Sequence, residues 1–104
     1  MNKQTTTIKN HFGAALQEAR ALTHVTQETF GGVSSRTYIS TLERGLKSPT
    51  LQKVDDLSAV MGIHPLTLLT LAYSKNASME EIRRTCARVE NDLKKLEVSE
   101  AADV

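Results

Sequence analysis

Apolar residues recur at intervals of three and four along nearly the whole chain, and the series is interrupted at Gly31-Gly32, Gly45 and Gly62. Such a repeat lays one apolar stripe along a helix, whereas a strand demands strict alternation, of which no useful length is present. The chain is therefore expected to be all-α, cut into short helices by residues that end them. Ile8, Phe12, Ala15, Leu16, Ala19 and Leu22 mark a first helix over about residues 7–23. A short second helix follows Thr26, a residue type that accepts backbone N–H bonds at a helix start, and covers "QETF" up to the paired glycines. Ser34 or Ser35 caps a third, which runs to Leu42 or Glu43 and stops at Gly45, a residue free to take the left-handed conformation. "KSPT" leads into a fourth helix with Leu51, Val54, Leu57 and Met61 inward and Gly62 at its end, and His64-Pro65 opens a fifth through "LTLLTLAY".

A chain of 104 residues has room for a modest core but not for an enclosed active-site cavity of any size. No apolar run approaches the roughly 18 residues that span a bilayer, and "MNKQTTTIKN" has no apolar stretch behind its lysines. Neither a membrane span nor a secretory signal is expected, and the lone Cys86 cannot build a disulfide framework. These features point to a soluble, cytoplasmic protein. The net charge of +1 hides an asymmetry. Residues 1–47 carry Lys3, Lys9, Arg20, Arg36, Arg44 and Lys47 against Glu18, Glu28 and Glu43, a balance of +3, whereas residues 75–104 carry six basic groups against seven acids. The cationic half is the half that holds the third helix, a hint toward phosphate.

Short helices joined by a tight turn, the later one polar at its start, describe a helix-turn-helix. Residues 12–72 resemble the phage-repressor type of this domain, the Cro/C1 or XRE family of transcriptional regulators. The matching residues are Arg20, "TQE" at 26–28, "GVS" at 32–34, "RTYIS.LERG" at 36–45, "SPTL" at 48–51 and "MGIHPLTLL" at 61–69. The spacing from Gln27 to Tyr38 is about two residues shorter than is usual in that family, so the second helix is expected to be truncated. The fold that follows is an all-α, five-helix phage-repressor-like helix-turn-helix domain over residues 7–73, with a further C-terminal helix over 78–97 and an acidic, flexible tail over 98–104.

At 3.6 residues per turn, Ile39 and Leu42 face inward together while Arg36, Thr37, Ser40, Thr41 and Arg44 take the solvent side. A helix of this width fits the major groove of DNA, where an arginine fork can take O6 and N7 of guanine and a threonine can donate to a base or touch a thymine methyl. The resemblance implies the same positions: Arg36, Thr37 and Thr41 toward bases, with Ser35 and Ser40 beside them. It further implies that Gln27 holds a phosphate and braces the recognition helix, and that Arg44, Lys47 and Ser48 contact phosphates, which gives affinity without sequence information. Tyr38 is expected either to pack beside the second helix or to reach a phosphate with its hydroxyl. For Glu43 the resemblance implies a largely buried ion pair with Arg20, whose role is to fix geometry.

Other chemistry is thin. His11, His24 and His64 lie in different segments without metal-ligand spacing, and His64 before Pro65 reads as a helix-start residue. Cys86 has no sequence-local histidine to activate it, and no phosphate loop of the GxxxxGK type is present. No enzyme activity, metal or cofactor is expected. In the C-terminal third, Ser78 and Glu81 form a capping box, with Glu80 and Glu81 at the positive end of the helix dipole. Met79, Ile82, Cys86, Val89, Leu93 and Leu96 then follow spacings of 3, 4, 3, 4 and 3, a heptad seam. A seam so narrow suits a helix that pairs with its own copy, and the competing reading folds it back on the fifth helix. Parallel pairing would set Asp92 against Glu97; antiparallel pairing brings Arg83 near Glu97. Leu68 or Leu71 of the fifth helix is expected to complete the dimer interface.

The expected function is a dimeric, sequence-specific regulator of transcription, a repressor that binds an inverted-repeat operator in double-stranded DNA. Two alternatives keep part of this reading. An antitoxin or a restriction-modification controller protein uses the same domain, with the C-terminal helix on a toxin or other protein partner. A protein-interaction module uses the fold without DNA.

Overall fold

The computed structural model describes residues 10–97 and residue 99. Among the described residues it is all-helical. Helix α1 spans Phe12–Leu22, a 3-10 helix spans Gln27–Gly32, α2 spans Arg36–Glu43, α3 spans Leu51–Met61, α4 spans Pro65–Tyr73 and α5 spans Met79–Lys95. Ile8 and most of the tail, residues 98 and 100–104, lie outside the described residues.

Local chemistry sets the ends. Helix α1 begins at Phe12, where the Asn10 carboxamide oxygen accepts the Phe12 N–H at 3.2 Å; the start expected near residue 7 lies outside the described residues. The second helix is a 3-10 segment opened by a capping box at Thr26 and Thr29: the Thr26 N–H donates to the Thr29 hydroxyl at 3.2 Å, and the two hydroxyls share a hydrogen bond at 2.9 Å. Ser35, rather than Ser34, caps α2: its Oγ accepts from the Tyr38 N–H. Thr50 does the same for α3, His64 Nδ1 for α4 and Ser78 for α5. Gly45 and Gly62 take φ of 74° and 73° just after α2 and α3, a left-handed backbone that costs a side-chain-bearing residue more than glycine.

The core draws on every element but α5. Phe12, Leu16 and Ala19 of α1, Phe30 of the 3-10 segment, Ile39 and Leu42 of α2, Val54 and Leu57 of α3, and Leu68 and Ala72 of α4 are buried together. At Gly13, α1 comes so close to the end of α2 that a Cβ would lie 2.6 Å from the Leu42 carbonyl oxygen and 2.7 Å from that of Glu43. Only glycine permits that approach. The His11 N–H donates to the Ala72 carbonyl at 2.7 Å and ties the start of α1 to α4.

Three apolar positions are used differently from what their spacing predicts. Leu22 is exposed because the chain leaves α1 there, with Thr23 Oγ1 donating back to Ala19 and His24 at φ 60°. Leu51 is 76% exposed. As the first residue of α3 its side chain leans toward the N-terminus, past the end of the packed face. Leu68 is 0% exposed and belongs to the core, so it is not available to a dimer interface. Helix α4 is apolar nearly all round and packs on both α1 and α3, which turns Leu68 and Ala72 inward and leaves Leu71 partly buried at the edge.

Candidate nucleic-acid interface

The 3-10 segment and α2 form a unit whose hinge is polar and whose base is apolar. Phe30 anchors the segment in the core, and its carbonyl accepts the N–H groups of Val33 and Ser34, both at 2.8 Å, which makes the turn into α2. Lys53 reaches across from α3, donating to the Val33 carbonyl at 2.6 Å and lying 5.7 Å from the centre of the Tyr38 ring. Tyr38 is half-buried there, beside a cation that its ring face attracts.

Glu43 closes the other end of the unit. Its carboxylate accepts from Arg20 Nε at 2.6 Å, Arg20 Nη2 at 3.1 Å and Gln27 Nε2 at 3.0 Å. α1, the 3-10 segment and α2 thus meet on a side chain only 6% exposed. The hydrogen bonding of its guanidinium to Glu43 raises the Arg20 pKa above its ordinary value, against burial, which lowers it; the charges of Glu43 and Glu28 act in the same upward direction. Removing either partner would leave the other charge desolvated, so the network sets the angle of α2 firmly. Gln27 is spent on this brace, with its amide nitrogen turned to Glu43.

Ile39 and Leu42 hold the buried side of α2, and the opposite side carries the candidate contacts. Ser35, Arg36, Thr37, Arg44, Lys47 and Ser48 are exposed; Ser40 and Thr41 are half-buried. The Thr41 hydroxyl donates to the Thr37 carbonyl at 2.9 Å, so toward a base it can offer lone pairs and a methyl group. Arg44 Nε lies 3.4 Å from the Ser40 carbonyl. The turn at Gly45 carries Lys47 and Ser48 to the start of α1, where they line one polar recess with Arg44, Asn10 and Gly13.

Two residues of this face were not singled out by sequence pattern. Glu28, on the 3-10 segment, pairs with Arg36 at 2.9 Å, and both side chains are well exposed, at 60% and 69%. An exposed pair of this kind is worth at most about 1 kcal/mol, so a guanine edge could take the guanidinium from it. Lys53 is the other. Neither has a local signal, because each meets its partner across a turn or between helices.

Among the described residues no group of histidine, cysteine, aspartate and glutamate could hold a metal, and no helix is long and apolar enough to cross a membrane. No family model matches the sequence, and no curated protein matches it. The fold is similar to that of a chain in the crystal structure of the PrgX/iCF10 complex. The two share 13% identity and a TM-score of 0.57, over 85% of this chain and 31% of that one. The chain therefore spans about a third of the length of that structural neighbour, and the likeness is one of helical fold.

Proposed function

We propose that the chain is a sequence-specific DNA-binding regulator of transcription, acting in the cytoplasm as a dimeric repressor of the Cro/C1 type and without enzymatic activity. The observation that carries the reading is the build of α2. It is a short helix braced at both ends, by Lys53 at the turn and by Glu43 with Arg20 and Gln27 at its close, and its outer face is polar and cationic. A rigid helix of that kind can enter the major groove. Arg36 and Thr37 would then face bases, while Arg44, Lys47 and Ser48 would lie against phosphates. One such helix reads few base pairs, so two copies on half-sites about one helical turn apart, roughly 34 Å, supply the specificity.

Selection of bound sites from random duplex DNA, followed by competition with single-base variants, tests the reading. Arg36→Ala should cost about 1–3 kcal/mol on the selected site and relax preference at one base pair. Lys47→Ala should weaken all sequences alike and flatten the salt dependence. An unchanged base preference after both Arg36→Ala and Thr41→Ala would overturn the assignment of α2.

A further inference from the structure

Among the described residues, helix α5 packs on α4 through its first turns. Ile82 and Thr85 are half-buried against α4, and the Thr85 hydroxyl shares a hydrogen bond with the Ser74 hydroxyl at 2.7 Å. From Cys86 onward the seam runs into solvent: no residue of α5 is buried, and Leu93 and Leu96 are 43% and 73% exposed. The contact with α4 also divides the two flanks of the seam. The flank of Glu81 and Thr85 lies toward α4, which leaves the flank of Arg83 and Glu90 open; Glu97 lies past the helix end at φ 60° and does not continue that flank.

The pairing of charges along α5 is the second observation. Arg84 pairs with Glu80 and Glu81, Arg88 with Asp92 and Lys94 with Glu90, all within α5. Arg83 has no ion-pair partner among the described residues. We infer that the α5 seam is covered by the α5 of a second copy running antiparallel, with Arg83 of each chain beside Glu90 of the other. In that register Met79 meets Leu96, Ile82 meets Leu93 and Cys86 meets Val89 across the pair, an apolar match at every step. A parallel pair would instead leave Arg83 without an acid.

The apolar surface beside the start of the seam favours the same direction. Leu66, Thr70, Leu71 and Ile82 line an open cleft of about 520 Å³ between α4 and α5. The antiparallel partner delivers its exposed Leu93 and Leu96 to that end, whereas a parallel partner leaves them far from either body. The inference deepens the dimeric part of the function proposed above and rests on that reading only for the expectation of two copies. Assembly is measured without DNA, so a failure here and a failure of DNA recognition are separate results.

Disulfide trapping in the full chain decides it. Met79→Cys and Leu96→Cys are made singly in a Cys86→Ser background, at positions exposed enough to leave the fold alone. A disulfide needs Cα atoms within about 7 Å. In the antiparallel pair the two copies of either position stand roughly 25 Å apart, from 17 residues of helix. Oxidation of either variant alone should give no linked dimer, and oxidation of their equilibrated mixture should give the mixed dimer. Arg83→Glu should weaken self-association roughly three- to tenfold by sedimentation, and Arg83→Glu with Glu90→Arg in one chain should restore it. Linked dimer from either single variant, or a parent chain that sediments as a monomer at tens of micromolar, would overturn the inference.

Discussion

In the body formed by α1 to α4, Leu16, Phe30, Ile39, Leu42, Leu57 and Leu68 are wholly enclosed, whereas on α5 Met79, Val89, Leu93 and Leu96 stand in water. Both regions are helical, and α2, α3, α4 and α5 each start on a side-chain cap. The body gains from burial that is non-local, since Phe30 on the 3-10 segment and Leu68 on α4 share one core across many residues of sequence. Helix α5 is held by its own side-chain pairs and its cap, each worth a few tenths of a kcal/mol to about 1 kcal/mol, and by the contact of its first turns with α4. A helix so supported is marginal by itself. The difference teaches that the body can hold α2 rigid in the isolated chain, while α5 keeps its apolar stripe free for assembly.

Three substitutions break or sharpen that contrast. Phe30→Ala should cost the chain about 3–5 kcal/mol in urea unfolding, because it empties the centre of the body. A loss below about 1 kcal/mol would mean that the 3-10 segment is not part of the cooperative core. Glu43→Ala should cost about 2–4 kcal/mol by leaving the Arg20 guanidinium and the Gln27 amide without their acceptor. It should also weaken DNA binding beyond what the stability loss explains, since the angle of α2 depends on that carboxylate; binding measured well below the melting temperature separates the two effects. Val89→Ser should change the stability of the dilute monomer by less than about 0.5 kcal/mol, as expected of a surface position away from any packed contact. A destabilisation comparable with Phe30→Ala, seen at a concentration where the chain is monomeric, would erase the distinction between the regions.

Much of the candidate interface could be read without coordinates. The phase of α2 follows from Ile39 and Leu42 three residues apart, and once they face inward Thr37 and Arg44 must face out, whereas Arg36, three residues before Ile39, lies at the flank and is exposed because it opens the helix. Thr41 was less legible. Its place on the outer face follows from the same phase, but that its hydroxyl donates to the Thr37 carbonyl does not. The Glu28–Arg36 pair and the Lys53 bridge were not legible at all, since they join residues eight and twenty apart through a turn whose shape the side chains around Phe30 decide.

The sequence by itself determined the helices and their faces. Spacing, Ser35 and Ser78 as caps, and Gly45 and Gly62 as stops act within one or two turns and need no distant partner. Only the tertiary structure decided which apolar residues those faces would spend on the core. Leu68 went inside and Leu51 outside though both lie on apolar helix stripes, because α4 is clasped between α1 and α3 while the first turn of α3 projects beyond them. The same holds at Gly13, whose identity is a matter of local propensity until α1 meets the carbonyls at the end of α2, and there it becomes a steric necessity. Burial is a property of what arrives from elsewhere in the chain, and no local pattern encodes it.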